Sequence, residues 1–282
     1  MKRIVLPTDF SENANNAIDY ALQLFKDTEC IFYVLHTYTP AIYRAEYVLH
    51  SPGQMGLGDI YQTSSMTKLE KVTKRLKKQY KNKKHTFVEH TTFNMLVDEI
   101  EEVVEKEHID LVIMGTQGAT GAKEIFLGTH TMHVIKKAKC PVIAIPPNFE
   151  YEAPKEILFP TDFEVNYEAK HLKPLLDIAK DHTSRIHIMH VRSGYDLSEE
   201  EQKNRNKLTG LMGHTTHLVH EMTDQVVISA INSFQLKNKV NLLVMIQNKH
   251  MFLENLFLKS VIKQIGFHAN VPFMVFPPLL KS

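Results

Sequence analysis

Tryptophan is absent from this chain of 282 residues, cysteine occurs twice and glycine only 11 times. Two thiols, Cys30 and Cys140, can build neither a disulfide framework nor a cysteine-rich zinc site. An excess of one charge is also missing: 33 Lys and Arg against 32 Asp and Glu leave +1 at pH 7. No global field therefore draws the chain to nucleic acid or to an anionic membrane, and neither is expected as a partner. No apolar run reaches the roughly 20 residues that cross a bilayer. The opening "MKRIVLPTDF" is interrupted at Pro7 and Asp9, so it does not read as a signal peptide, and a cytoplasmic protein is the expectation. What remains, 43% hydrophobic and 23% charged, is the composition of a globular chain with room for two modest cores.

The chain repeats itself. "RIVLPTDFSENANNAIDYA" from Arg3 returns as "EILFPTDFEVNYEAKHLKP" from Glu156, sharing "PTDF" at Pro7–Phe10 and Pro160–Phe163. "IFYVLHTY" matches "RIHIMHVR" and aligns His36 with His190; "IDLVIMG" matches "VNLLVMI", and "KCPVIAIPP" matches "NVPFMVFPP". Four matched blocks in one order predict a tandem duplication. The expected boundaries are a first domain at 1–148, a linker at 149–154 and a second domain at 155–282. Each half alternates short, continuously apolar β-branched runs with amphipathic segments. The first half reads as strands at "RIVLPT", "CIFYVLHTY", "HTFVEHTTF", "DLVIMG" and "PVIAIPP". Its helices follow at 11–27 (capped by Ser11), 66–83, 94–109 and 129–139. That alternation predicts an α/β fold: a parallel five-stranded sheet in each half, covered by helices on both faces. Ligands of such sheets bind beyond the carboxyl ends of the strands.

At one such end lies "MGTQGATGAKEIFLGTH", residues 114–130, with four of the glycines: Gly115, Gly118, Gly121 and Gly128. Gly115 closes the fourth strand and Gly128-Thr129 opens the next helix. Bare backbone N–H groups and a helix N-terminus there suit a phosphate, and Thr129 adds a hydroxyl donor. Neither the P-loop spacing nor G-x-G-x-x-G is met. The spacing is G-x-x-G-x9-G-[ST] at Gly115, Gly118, Gly128 and Thr129.

With "VLPTDFSENANNAIDYA", "VLHTY" and "DLVIMGTQGATGAKEIFLGTHTMHVIKKAKCPVIAIP", the chain resembles the universal stress protein family as a tandem two-domain member. The resemblance implies Rossmann-like (adenine nucleotide alpha hydrolase-like) domains and, in many members, ATP held by this motif, with or without Mg2+. Carried over by position, Asp9 and the backbone at His36 and Thr37 sit at adenine and ribose, and Gly115 lies near the ribose. Gly118, Gly128 and Thr129 hold the phosphates, and Pro7, Thr8, Met114, His130 and Thr131 complete the candidate site. The family often has a basic residue after the second glycine, where this chain has Ala119. The resemblance also implies that the terminal strands "PVIAIP" and "PFMVFP" pair across the two halves, as between subunits of single-domain relatives; a homodimer of the tandem chain remains open.

In the second half Ile246, Lys249 and Lys259 stand where Gly115, Gly118 and Gly128 stand, and only Ser260 preserves its counterpart, Thr129. Side chains at those positions should close the cradle, with Asp162 left as a relic or a helix cap. One nucleotide, in the first half alone, is the expectation. His214, His217 and His220 invite a metal reading, but strand alternation sends His217 to the opposite face, and no metal site is expected. The basic run 74–84 reads as a solvated helix face, Cys140 as a core thiol, and 39–65 as a segment beyond normal loop length, a candidate lid over the nucleotide. No catalytic residue can be placed, so the reading is a nucleotide-dependent regulator or sensor in stress adaptation, with at most slow ATP hydrolysis or autophosphorylation. Two alternatives stand beside it: a nucleotide-free interaction module, and an ATP-using enzyme of the same fold, which "PTDFSEN" disfavours because it lacks an S-G-G-x-D-S type loop.

Overall fold

The computed structural model describes residues 1–38, 57–116, 128–192, 194, 196–223, 226–247 and 271–279. In the first half the strands are β1 (Lys2–Pro7), β2 (Cys30–Thr37), β3 (His85–Thr92), β4 (Leu111–Gly115) and β5 (Val142–Ile145). The helices are α1 (Glu12–Leu24), α2 (Leu57–Tyr80), α3 (Leu96–Lys106) and α4 (Thr129–Lys137). The second half carries β6 (Glu156–Pro160), β7 (Arg185–Val191), β8 (His217–Met222), β9 (Leu242–Ile246) and β10 (Phe273–Phe276), with α5 (Ala169–Asp181), α6 (Glu199–Met212) and α7 (Val227–Asn238).

All ten of these strands form one sheet in the order β3-β2-β1-β4-β5-β10-β9-β6-β7-β8. Each half is parallel with the order third, second, first, fourth, fifth, and the halves meet where β5 and β10 pair antiparallel, Met274 opposite Ile143. The two domains thus share a sheet through their terminal strands, as the resemblance implied. Alternation along the strands sends side chains to two cores. Ile4, Leu6, Ile143, Ile157 and Met274 lie in one, and Val5, Val142, Leu158 and Val275 in the other, so both cores run continuously through the junction. The connection between β5 and β6 is packed down as well: Tyr20 of α1 meets Phe149 and Tyr151 edge-on, and Asn16 Nδ2 donates to the Phe149 carbonyl at 3.1 Å.

Two expectations change. Residues 57–65 belong to α2, which starts nine residues before the expected helix; 39–56 lie outside the described residues. Polar Gln62, Thr63 and Ser64 hide the helix in the sequence, but buried Ser65 and Leu69 anchor it on the sheet. In the second half, α5 begins at Ala169 rather than at the counterpart of Glu12. Glu164 stands where Ser11 caps α1, and Asp162 caps no helix; it accepts from the Glu164 N–H at 3.0 Å instead.

Candidate functional site

"PTDF" folds identically in both halves. Thr8 continues the ladder by donating its N–H to the Leu35 carbonyl at 2.8 Å, then the Phe10 N–H donates back to Thr8 Oγ1 at 3.0 Å. The Ser11 N–H donates to Asp9 Oδ1 at 3.0 Å, and Ser11 Oγ accepts from the Ala14 N–H as the cap of α1. Phe10 takes a φ of 67°, uncommon for a bulky residue, and its ring lies 4.5 Å from that of His36. Asp9 and Thr8 are therefore first of all turn residues, and the turn leaves Asp9 exposed at the sheet's carboxyl edge.

Because β2, β1 and β4 are neighbours, their carboxyl ends bring Thr37 and His36, Pro7 to Asp9, and Met114 and Gly115 to one edge. Helix α4 is tied to it: Thr131 Oγ1 donates to the Gly115 carbonyl at 2.9 Å, and the Gly128 N–H donates to the Thr116 carbonyl. Gly128 caps α4 with no side chain, and the first turn holds no acidic residue. By helix geometry the N–H groups of Thr129, His130 and Thr131 lack intrahelical partners, so this end turns the positive end of the helix dipole toward the sheet edge. Thr129 and His130 are exposed, whereas the hydroxyls of Thr8 and Thr131 are spent internally and the Met114 side chain lies in the core. Gly118 and Ala119 lie outside the described residues.

Sequence reasoning missed Asn13. A Cβ on Gly115 would stand 2.4 Å from Asn13 Oδ1, so glycine is needed there for close approach. Both amide atoms of Asn13 are buried with no hydrogen-bond partner. Such an orphan amide costs on the order of 1–3 kcal/mol and marks a place where a ligand atom or water is due. A single Asn on the first turn of a helix gives no signal of this in sequence. His36 was expected, but not its surroundings: its Nδ1 shares a hydrogen bond with Ser65 Oγ at 2.7 Å, and Ser65 in turn bonds Thr91. Burial, reinforced by the Lys68 ammonium and opposed by Asp9, pushes the His36 pKa below its ordinary value, so the ring is neutral at pH 7.

The corresponding edge of the second half differs. Ile246 replaces Gly115, and it lines a cleft beside Val165, Met189 and Met245. Lys249, Lys259 and Ser260 lie outside the described residues. Elsewhere, His220 bonds His187 at 2.9 Å while the His217 ring donates to the Thr215 carbonyl; His214 stands in the turn before β8, outside the strand on which it was expected. Among the described residues no group of three or more His, Cys, Asp or Glu could hold a metal ion. Burial pushes the Cys140 thiol up to about 12, as befits a core residue. No helix among the described residues is long and apolar enough to cross a membrane.

The profile of the universal stress protein family matches residues 1–146. Two universal stress proteins of Methanocaldococcus jannaschii are each 32% identical to this chain, over 145 and 154 residues. Both alignments take in 51% of it, with 81% and 94% of the relatives. A universal stress protein from Archaeoglobus fulgidus superposes over 98% of this chain and 96% of its own length, with TM-score 0.67 and 20% identity. A functionally unknown protein from Pseudomonas aeruginosa does so over 99% and 93%, with TM-score 0.57 and 12% identity. These two full-length likenesses bear on the fold, a tandem of such domains in one sheet. The chain belongs to the universal stress protein family.

Proposed function

We propose that the first half binds an adenine nucleotide, ATP in the first instance, and that the chain acts as a nucleotide-dependent regulator or sensor in stress adaptation. The observation that carries this reading is the convergence at one sheet edge of a bare helix N-terminus, a glycine that must lack Cβ, and the orphan amide of Asn13. Phosphates at the start of α4 would be held by N–H groups of Thr129 to Thr131 and by the backbone of Gly118. Base and ribose would lie over Pro7 to Asp9, His36 and Thr37, beside Met114 and Gly115. Mg2+, if it accompanies ATP, would be held chiefly by the phosphates, since no acidic cluster stands at this edge among the described residues.

Chemistry beyond binding is minor in this reading. Among the described residues no side chain at the edge is placed as a base for water, and the neutral His36 is engaged with Ser65. Titration calorimetry with ATP tests the assignment. One nucleotide per chain is expected, with binding lost in a folded Gly118→Lys variant. A stoichiometry of two, or unchanged affinity in that variant, would overturn it. Turnover on the order of 1 per second or faster would favour an enzyme instead.

A further inference from the structure

We infer that the second half carries a ligand site of its own, at the counterpart of the nucleotide edge, for an uncharged single-ring or branched aliphatic group. The cleft lies at the carboxyl ends of β6, β7 and β9 and encloses about 90 Å³. Its walls are Val165, Met189, Val191, Val227, Met245 and Ile246, with Thr161 and Asp162 at the turn.

The repeat shows how the site changed its chemistry. Alignment of the halves puts Val165 where Glu12 stands, Val191 where Thr37 stands and Ile246 where Gly115 stands, while Met245 keeps the place of Met114. An acid, a hydroxyl and a bare backbone are thus exchanged for three aliphatic side chains. The backbone follows. Since α5 lacks the turn that begins α1, the counterpart of Asn13 is not held against β9; Asn166 instead accepts from Lys207 Nζ at 2.6 Å. That withdrawal makes room for the Ile246 side chain. Tyr167 folds inward, fully buried, and its hydroxyl bonds Thr161 Oγ1. Thr161 is then spent: its hydroxyl also accepts from the Phe163 N–H, and its carbonyl accepts from His190 Nδ1. The deep end of the cleft therefore offers hydrocarbon and thioether surface, with no helix start at the equivalent of Ser11 and no open polar group on Thr161.

Size sets the ligand class. Apolar cavities stay dry and take small apolar molecules, benzene entering one of about 150 Å³. A space of about 90 Å³ with an open mouth admits one ring or a branched chain, and it has no room for a nucleoside with its phosphates. Methionine sulfur favours aromatic edges, so Met189 and Met245 tilt the choice toward a ring.

Methyl NMR of the full chain labelled at methionine tests the proposal, with signals assigned by Met189→Leu, Met245→Leu and Met114→Leu. Toluene and phenol, added separately, should shift Met189 and Met245 saturably at or below about 1 mM, leaving Met114 in place. Val191→Phe fills the mouth from a partly exposed position and should abolish the shifts; if it does not fold, Val227→Phe does the same from the opposite wall. Unsaturated or absent shifts in the folded wild type would overturn the site, as would shifts that survive filling or that appear equally at Met114. A saturable response of Met245 to ATP would also overturn it and assign this edge to nucleotide. Because ATP binding by the first half is read separately by calorimetry, loss of that reading leaves this one standing.

Discussion

Asn13 and Gly115 constrain each other, and the constraint separates fold from function at single residues. Gly115→Ala places a Cβ against Asn13 Oδ1, so it should destabilise by about 1–3 kcal/mol in urea unfolding. Adding Asn13→Ala should restore most of that loss; a double variant as unstable as the single one would show that the clash lies elsewhere. Asn13→Ala alone removes an unsatisfied amide, so the ligand-free protein should be no less stable while ATP affinity falls. Histidines give a pH signature. His36, His85, His182 and His220 all have pKa values held below the ordinary 6.5, each chiefly by burial. The unfolded chain then binds more protons, so stability is full above about pH 6.5 and falls as pH drops through the folded values. Thermal unfolding from pH 7.5 to 5 should show this decline, and a flat profile would contradict it. The glycine spacing was readable in sequence because each glycine is a local statement about backbone. Asn13 was not, since its burial depends on a strand that arrives about a hundred residues later.

At the level of elements, periodicity located every strand of the first half and three of its helices closely, because the helices bury one face while the central strands are apolar on both. It failed where tertiary contact overrides local pattern. Helix α2 begins in polar sequence because Ser65 reaches His36 and Thr91, contacts that no window of residues reveals. Helix α5 starts late because Val165 and Tyr167 turn inward, where the repeat alone suggested a copy of α1. Capping makes that asymmetry measurable. Ser11 accepts from the Ala14 N–H, so Ser11→Ala should cost about 1 kcal/mol. Glu168 at the start of α5 makes no side-chain cap, so Glu168→Ala should be nearly neutral. Equal losses in denaturant titrations would mean that the two helix starts are equivalent after all.

For the whole molecule, the decisive contact is the antiparallel β5–β10 pair. Its strands are wholly buried, Val142–Ile145 against Phe273–Phe276, and both cores continue through them. Polar ties also cross between the halves. Lys2 Nζ meets Asp177 at 2.6 Å, and the His182 ring donates to the Leu24 carbonyl at 2.8 Å. The Lys2–Asp177 pair is partly exposed and is worth at most about 1 kcal/mol, so apolar burial and the strand ladder dominate. A fragment of residues 1–152, cut in the connection between β5 and β6, would uncover β5 as an apolar edge, which proteins seldom leave unpaired. The antiparallel sense of the native pair relates the halves by a pseudo-two-fold axis, and a second copy of the fragment can repeat that arrangement with β5 against β5. The fragment should therefore sediment as a dimer at micromolar concentration. A folded, stable monomer there would show that β5 needs no partner strand, and that the second half is joined to the first by the linker more than by the sheet.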